Sequence, residues 1–347
     1  MAEREVNVLL AGYGTVGRTL HRILEERAAD LARDYHVRFR LVGIARRDRV
    51  CSDEKGFAFG NPNQLPWKTG TLFDLMGDVK ADVLVEATPT DLQKGQPGLG
   101  HARAAIRENV PVVLANKGPL VVAYKELTER AEKAGVPLRF EATVAGCVPT
   151  FNAVRGAFAG NPVSRIEGIL NGTTNFILTR MLEERREFED ALREAQSLGY
   201  AEANPSSDVD GLDAAAKIII LGNALLGLAL SMEKVEATGI RTISRQAVEV
   251  AANRGYKVKL VAEVDRHGKA RVGPRLVPRG STLDVSGVLN SVRFTTELAG
   301  QVTHIGPGAG GGPTAAAVLS DLLDIFQQQP RHGAGLARAV GQSPSQS

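Results

Sequence analysis

Residues 199–217 carry acids and an amine at spacings that suit chemistry on a polar substrate. Asp213 and Lys217 stand four positions apart at the start of an apolar run, and residues at i and i+4 share one face of a helix. Three further carboxylates precede them on loops or turns: Glu202, Asp208 and Asp210. An ammonium group at the entrance of a buried helix is costly unless it is paired or used. A structural salt bridge is the alternative, since such pairs are common and weak, but the acidic loop and a nucleotide motif elsewhere favour a catalytic pair.

That nucleotide motif is Gly12-x-Gly14-x-x-Gly17, which follows a short apolar run and precedes a helical pattern. In this context the first glycine permits a tight turn, the second lets the backbone approach a pyrophosphate, and the third allows close packing of helix and strand. The helix N-terminus adds partial positive charge for the phosphates. The motif therefore predicts dinucleotide binding, and its candidate contacts are Gly12, Tyr13, Gly14, Thr15, Val16 and Gly17.

The elements around this motif alternate between strands and helices up to about residue 145. We predict apolar strands at 6–11, 39–45, 81–87, 110–115 and 138–143, and helices at 18–33, 101–108 and 123–134. Strands that are apolar on both faces and alternate with helices form a parallel sheet with right-handed crossovers. The fold class is thus α/β, with an N-terminal Rossmann-type doubly wound sheet. Loops at the carboxyl ends of its strands place four side chains beside the nucleotide: Arg46, Arg47, Thr88 and Lys117.

The pattern changes near residue 149 and indicates a second, α+β domain for substrate binding and dimerisation. We place the dinucleotide domain at 1–145, completed by a helix at 313–326, and the second domain at 146–312. Within it we expect a helix from 209 to 228 with Asp208 as its N-cap. The glycine run 306–312 before the last helix suggests a further anion or nicotinamide contact through Gly306 and Gly308. The polar tail, 327–347, is expected to be disordered.

Composition narrows the class of protein. The 347 residues are 43% hydrophobic and 23% charged, as in an ordinary globular enzyme. A net charge of +3 gives no argument for nucleic acid or an anionic membrane as partner, and no apolar run is long enough to span a bilayer. The two cysteines, Cys51 and Cys147, cannot build a disulfide framework. We therefore expect a cytoplasmic protein.

The motifs together resemble one family, homoserine dehydrogenase. The resemblance covers residues 5–326 in family order and rests on five blocks besides the glycine motif: 199–217, 115–118 (Ala-Asn-Lys-Gly), 141–146 (Glu-Ala-Thr-Val-Ala-Gly), 171–175 (Asn-Gly-Thr-Thr-Asn) and 306–310 (Gly-Pro-Gly-Ala-Gly). Two positions depart from the family pattern, Asn204 and Cys147. The resemblance implies reversible NAD(P)-dependent reduction of L-aspartate 4-semialdehyde to L-homoserine, a step toward threonine, methionine and isoleucine. It is closest to the short form without a C-terminal regulatory domain, so we expect weak or absent feedback by threonine.

Such a reaction assigns roles to the polar residues. An amino-acid substrate needs acids for its ammonium group, for which Glu202 and Asp213 are suited, and neutral donors for its carboxylate. The donors are expected around Gly172, Thr173, Thr174 and Tyr200. The developing alkoxide needs a proton, and Lys217 and Lys117 are candidates from the two domains. The resemblance also implies a homodimer and a monovalent cation such as sodium, held by Glu141 and the carbonyl groups of Val144, Gly146 and Val148.

Two alternatives stay open at this point, and the choice of cofactor is a separate expectation. A cysteine-dependent aspartate-semialdehyde dehydrogenase would use Cys147, and a protein that senses NADP without catalysis would use the same scaffold. The end of the second strand carries Arg46 and Arg47 before Asp48, and guanidinium groups bind a 2′-phosphate well. The expected cofactor is NADP in preference to NAD.

Overall fold

The computed structural model describes residues 3–327 and consists of two β-sheets with helices packed against them. The first sheet contains β1 Arg4–Ala11, β2 Val37–Arg46, β3 Arg49–Ser52, β4 Lys68–Thr69, β5 Val83–Glu86, β6 Val112–Leu114 and β7 Leu138–Arg139. Its helices are α1 Thr15–Glu26, α2 Ala28–Tyr35, α3 Leu72–Asp78, α4 Gly98–Arg107 and α5 Gly118–Ala134. A short 3₁₀ helix spans Pro62–Gln64 and another spans Glu141–Thr143.

The second sheet contains β8 Val163–Ile169, β9 Glu236–Ala237, β10 Tyr256–Asp265, β11 Ala270–Pro278, β12 Leu289–Thr296 and β13 Gly300–Pro307. The remaining helices are α6 Phe151–Gly156, α7 Gly172–Glu183, α8 Phe188–Ser197, α9 Ser206–Val209, α10 Leu212–Leu225, α11 Arg245–Asn253 and α12 Gly311–Phe326, with a 3₁₀ turn at Met232–Lys234. Helices α7, α10 and α11 pack against β10, while α12 returns to pack against α1.

Strand order in the first sheet is β4-β3-β2-β1-β5-β6-β7. Strands β2, β1, β5, β6 and β7 are parallel, and β3 and β4 form an antiparallel edge. The chain runs from β1 outward to β2 and later returns to the opposite side of β1 with β5, so the order reverses between β1 and β5. Ligands of doubly wound sheets bind at the carboxyl ends of the strands on either side of this reversal. The predicted fold class is therefore confirmed, and the second sheet is mostly antiparallel, in the order β13-β12-β8-β10-β11-β9.

Several predicted elements differ in detail. The helix expected at 18–33 is two helices that meet at Arg27, whose ψ of 6° is not helical. The strand expected at 138–143 ends at Arg139, because the Glu141 backbone N–H turns to donate a hydrogen bond to Asp321 of α12. Strand β13 is absent from the sequence prediction, which assigns residues 306 and 307 to a glycine run. The tail prediction lies outside the described residues, apart from Gln327.

The start of α10 also differs from expectation, and this difference matters for the site. Asp208 is not its N-cap: it lies in α9, and Gly211, with φ of +81°, separates α9 from α10. A left-handed residue at this point breaks the helical hydrogen-bond ladder, so α10 begins at Leu212 and ends at Leu225. The carboxylate of Asp208 is thereby free to face other side chains.

Candidate functional site

The Asp213 carboxylate lies between two lysine ammonium groups that come from different parts of the fold. Lys217 Nζ is 2.7 Å from Asp213 Oδ2, one helical turn further along α10. Lys117 Nζ is 3.3 Å from Asp213 Oδ1 and comes from the loop between β6 and α5. Lys217 also donates a hydrogen bond of 2.6 Å to the Leu170 carbonyl at the end of β8. Burial alone raises the pKa of Asp213, but the charges of Lys217 and Lys117, together with hydrogen bonds from Lys217 and Asn171, hold it well below its usual value.

Asn171 and Asp208 complete this cluster. The sequence indicates Asp208 only as one acid of residues 199–217 and as a helix cap, and it gives neither residue a role at the site. Asn171 Nδ2 donates hydrogen bonds to Asp208 Oδ1 at 2.6 Å and to Asp213 Oδ2 at 3.0 Å. Burial, followed by the nearby Asp213 charge, raises the pKa of Asp208. The available signal was the position of Asn171 directly after an apolar strand and before Gly172. The side chain of Asn171 also caps α7 by accepting from the Thr174 backbone N–H at 2.8 Å.

The hydroxyl groups of Thr173 and Thr174 are already engaged within the protein. Thr173 Oγ1 donates to the Tyr200 carbonyl at 2.6 Å, and Thr174 Oγ1 bonds to Asn171. The donors that remain at this end of α7 are the backbone N–H groups of Gly172 and Thr173, because the first N–H groups of a helix have no intrahelical acceptor. The Tyr200 and Glu202 side chains are exposed, and the Tyr200 ring packs on Phe176 at a centroid distance of 5.1 Å.

The glycine turn after β1 has the shape that a dinucleotide requires. Gly12 has φ of +96°, and a Cβ there would lie 2.3 Å from the Ala87 carbonyl oxygen. A Cβ on Gly17 would lie 2.1 Å from the Gly12 carbonyl oxygen. A Cβ on Gly14 would instead meet no atom within 4 Å, so the turn has open space where a pyrophosphate can approach. The Tyr13 side chain is buried and its hydroxyl contacts His21 Nδ1 at 2.7 Å, so this residue can reach a cofactor only through its backbone.

The other predicted cofactor residues surround this turn. Thr15 and Val16 begin α1. Arg46 ends β2 beside Gly12, whose N–H donates to the Ala45 carbonyl, and Arg47 follows with φ of +40°. Both arginines are exposed. Thr88 follows β5, where the Ala87 N–H donates to the Ala11 carbonyl at 2.7 Å.

The second glycine turn, residues 306–312, lies against the first glycine turn, residues 12–17. A Cβ on Gly311 would come within 3.0 Å of Thr15 Cγ2. Gly308 packs directly on Asn290, where a Cβ would be 2.0 Å from the Asn290 side chain, and Gly306 pairs with Asn290 across β12 and β13. Residues 306–311 therefore join the nucleotide turn to the second sheet.

Glu141 is buried, and its carboxylate is held by donors at the start of α6. Its carboxylate accepts from the Thr150 N–H at 2.5 Å, the Thr150 hydroxyl at 3.1 Å and the Asn152 N–H at 2.8 Å. The turn that follows carries two left-handed residues in succession, Ala145 and Gly146, before Val148. Within residues 3–327 no cluster of three or more His, Cys, Asp or Glu side chains could hold a metal ion.

The fold and the site together define a nicotinamide-dependent oxidoreductase: a doubly wound sheet presents an open glycine turn, and two lysines converge on one carboxylate nearby. In the described part of the chain, none of the helices combines the length and the apolar character that a membrane span needs.

Comparisons with known proteins identify the family. The NAD binding domain of homoserine dehydrogenase matches residues 12–141, and the homoserine dehydrogenase family model matches residues 149–323. The chain is 40% identical to a homoserine dehydrogenase from Methanocaldococcus jannaschii, over 92% of this chain and 98% of that protein. It is 34% identical to an NAD(+)-dependent homoserine dehydrogenase from Pseudomonas canavaninivorans, over 94% and 98% of the two chains. The chain therefore belongs to the homoserine dehydrogenase family, whose members are NAD(P)-dependent oxidoreductases that act on a CH–OH group.

Solved structures agree with this assignment. A crystal structure of a protein assigned as homoserine dehydrogenase from Archaeoglobus fulgidus superimposes with a TM-score of 0.86, at 36% identity, over 93% of this chain and 100% of that one. A hyperthermophilic archaeal homoserine dehydrogenase in complex with NADPH gives a TM-score of 0.79 at 30% identity, over 92% and 97% of the two chains. The cysteine-dependent alternative is not favoured by these findings, and Cys147 is an exposed residue whose Sγ lies 3.7 Å from the Pro307 carbonyl oxygen.

Proposed function

We propose that this protein catalyses the reversible reduction of L-aspartate 4-semialdehyde to L-homoserine, with NADP as its preferred cofactor. The proposal rests on the contacts of Lys117 and Lys217 with the two carboxylate oxygens of Asp213. These contacts bring together, at one point, one amine that follows a strand of the first sheet and one amine on a helix that packs against the second sheet. That point lies at the entrance of α10 and beside the loop that follows β6, where a doubly wound sheet binds its ligand.

The two lysines have distinct tasks in this mechanism. The nicotinamide cofactor, when bound, supplies or accepts the hydride. Lys217 donates a proton to the aldehyde oxygen as negative charge develops on it, and takes the proton back in the oxidation direction. Lys117 stands at the cofactor side and adds positive charge near the same oxygen. We assign Asp213 to holding both ammonium groups in place, since its oxygens are already engaged by the lysines and Asn171.

Substrate binding then falls to the surrounding groups. The free N–H groups of Gly172 and Thr173 at the N-terminus of α7 suit the substrate carboxylate, and the helix dipole favours its charge. Glu202 suits the substrate ammonium group, and the exposed Tyr200 side chain stands at the rim of the same segment. The hydroxyl groups of Thr173 and Thr174 serve this site by fixing the α7 turn rather than by touching substrate.

The preference for NADP rests on Arg46 and Arg47. These residues end β2 next to the glycine turn, where a dehydrogenase contacts the adenosine ribose, and they are exposed to receive a 2′-phosphate. Gly12 to Gly17, Thr88, Lys117, Gly306 and Gly308 are proposed to complete the cofactor site. The rival expectation is NAD, as in the Pseudomonas relative. Comparing kcat/KM for NADPH and NADH decides between them.

A sodium-type cation is proposed for the turn after Glu141. A carboxylate has about four lone-pair positions, and the three donors on Glu141 leave room for a cation ligand. The carbonyl groups of Val144, Gly146 and Val148 are oxygen donors of the kind a hard cation takes. Activity at constant ionic strength in sodium and in choline chloride tests this proposal.

We also propose a cytoplasmic homodimer that associates through the second sheet. Apolar side chains are exposed on two neighbouring strands at one edge of this sheet, Leu289 on β12 and Ile305 on β13, and the strand register places them on the same face. Exposed apolar patches of this kind commonly mark association surfaces. Light scattering of the purified protein gives the mass directly, and a monomer at micromolar concentration would contradict the dimer.

The decisive experiment follows the absorbance of reduced cofactor while NADPH and L-aspartate 4-semialdehyde are mixed with the protein. Consumption of NADPH that depends on the aldehyde supports the proposal, and L-homoserine with NADP should give the reverse signal. A protein that binds NADPH but consumes none of it would be a sensor instead. Replacing Cys147 by Ser serves as a control, because a thioester enzyme would lose its activity and the proposed enzyme would keep it.

A further inference from the structure

Glu86 is a completely buried carboxylate at the carboxyl end of β5. A buried carboxylate is costly unless it is paired and hydrogen-bonded. Glu86 Oε1 accepts from the Thr88 backbone N–H at 2.8 Å, from the Thr88 hydroxyl and from Asn116 Nδ2 at 3.4 Å. Its other oxygen faces His101 Nδ1 at 2.5 Å. Nothing in the reaction described above uses either Glu86 or His101, yet both lie under the loops that hold the cofactor side of the site.

Helix α4 is fitted closely around this carboxylate. His101 comes from α4, its ring is buried, and it packs against the Phe73 ring in a T-shaped arrangement with a centroid distance of 5.6 Å. A Cβ on Gly98 would lie 2.7 Å from Asn116 Nδ2 and 3.3 Å from Glu86 Cδ. The N-terminus of α4 therefore approaches the carboxylate without an intervening side chain, and its dipole favours the negative charge there.

Asn116 connects the buried carboxylate to Lys117. Its Nδ2 bonds to Glu86, to Thr88 Oγ1 at 3.2 Å and to the Pro89 carbonyl at 3.3 Å. Its Oδ1 accepts from the Gly118 N–H at 2.9 Å. The residues on both sides of Lys117 are thus fixed by one side chain, and that side chain is fixed by Glu86.

We propose that Glu86 and His101 are positioning residues, which act through Asn116 to hold the Lys117 amine against Asp213. This inference rests on the proposed role of Lys117 in the reaction. Small displacements of a reacting group are costly: a misplacement of about 1 Å can reduce the rate by about 10²-fold. The pair should therefore set kcat more strongly than it sets global stability or affinity for the cofactor.

The test compares His101→Leu with His101→Gln, which retains a donor for Glu86. His101→Leu should lower kcat about 10- to 100-fold, and His101→Gln should recover most of that loss. The dissociation constant of NADPH should rise less than kcat falls in both variants, because Thr88 and Lys117 would shift while the glycine turn that receives the pyrophosphate has no bond to Glu86 or His101. A double variant, His101→Leu with Asn116→Ala, should lose less in kcat than the product of the two single losses, since both act on one path.

Arg103→Gln is the matched control. Arg103 lies on the same helix and ties α4 to α5 through two hydrogen bonds to Glu126 of 2.9 and 2.6 Å, but it lies on the exposed side and touches neither Glu86 nor Asn116. It should leave kcat within about twofold. An equal loss of kcat in Arg103→Gln would mean that mere attachment of α4 to α5 matters, and would overturn the inference.

A second variant covers the case in which His101→Leu fails to fold. Glu86→Gln keeps the shape of the side chain and removes its charge, so it should fold and lower kcat at least about threefold, because charge-assisted hydrogen bonds are about twice as strong as neutral ones. The inference is overturned if Glu86→Gln, or a folded His101→Leu, has the same kcat as the wild-type protein. The proposed function still stands in that case, provided that the wild-type protein reduces the aldehyde. If the wild-type protein itself turns over no aldehyde, the proposed function fails instead.

Discussion

Replacing Lys217 by Met separates catalysis from structure at the centre of the site. Methionine is unbranched and apolar, so it can fill the same buried path along α10 without the ammonium group. The substitution removes the 2.7 Å contact with Asp213 and the 2.6 Å hydrogen bond to the Leu170 carbonyl. Asp213 keeps Lys117 and Asn171 as partners, so its charge is not left bare.

The substitution should affect the catalytic rate and the stability of the fold by different amounts. Loss of proton transfer by a placed side chain should lower kcat about 10²- to 10⁴-fold, or about 2.7–5.4 kcal/mol in the activation barrier. Loss of a charged hydrogen bond should lower the free energy of unfolding by about 1.5–3 kcal/mol, below the roughly 3–5 kcal/mol expected when a buried charge loses its only partner. At about 2–4 °C per kcal/mol, Tm should fall by about 3–12 °C.

Three measurements on the one variant test this reasoning: kcat from NADPH absorbance with L-aspartate 4-semialdehyde, the dissociation constant of NADPH, and Tm. Affinity for NADPH should change little, because the glycine turn belongs to the other sheet. Lys259→Met is the matched control. Lys259 is also a buried lysine, and it donates hydrogen bonds of 2.7 and 2.6 Å to Asn175 and the Val285 carbonyl. That variant should lower Tm yet keep kcat within about threefold.

The result that refutes a catalytic role is a Lys217→Met protein with lowered Tm and a kcat within a fewfold of wild type. Lys217 would then only hold α10 against β8 through Asp213 and Leu170. Equal losses of kcat in the Lys217 and Lys259 variants would point the same way, because they would trace the loss to general loosening of the second sheet.

Three further outcomes are expected. Replacing Arg46 and Arg47 together by Ala should lower kcat/KM for NADPH by about 10- to 100-fold, from the loss of charged hydrogen bonds, and leave NADH nearly unchanged; equal effects on both cofactors would remove these residues from the 2′-phosphate site. Gly14→Ala should keep a near-normal Tm, because its Cβ meets no atom within 4 Å, but weaken NADPH binding measured by fluorescence titration; Gly12→Ala should lower Tm as well, since its Cβ would lie 2.3 Å from a carbonyl oxygen. Burial and the Glu141 charge raise the pKa of Asp321 to about 8 from 3.8, so the folded state holds this proton more tightly and stability should fall as pH rises between those values. Asp321→Asn should flatten that fall in Tm, and parallel Tm–pH curves for the two proteins would contradict it.

The sequence by itself determined the fold class and the family. Apolar strands such as residues 6–11 can be recognised from their own residues. The glycine motif can be recognised in the same way, because the strand before it and the helix after it lie in one short stretch of chain. The spacing of Asp213 and Lys217 within one helix is likewise a local property, because the helical period places them on one face. These predictions needed no knowledge of which distant segments meet.

Only the tertiary structure decided which groups share the site. Lys117 and Asn171 lie 96 and 42 positions before Asp213 in the chain, and only the packing of α5 and α7 near the start of α10 brings them to its carboxylate. The same holds for Asp208, whose role changed from helix cap to site acid because Gly211 turns the chain with a positive φ. The Glu86 and His101 pair is likewise visible only once α4 lies over β5. Such contacts depend on how side chains of different elements pack together. The local pattern of hydrophobic and polar residues predicts each element, but it does not specify which elements pack against each other.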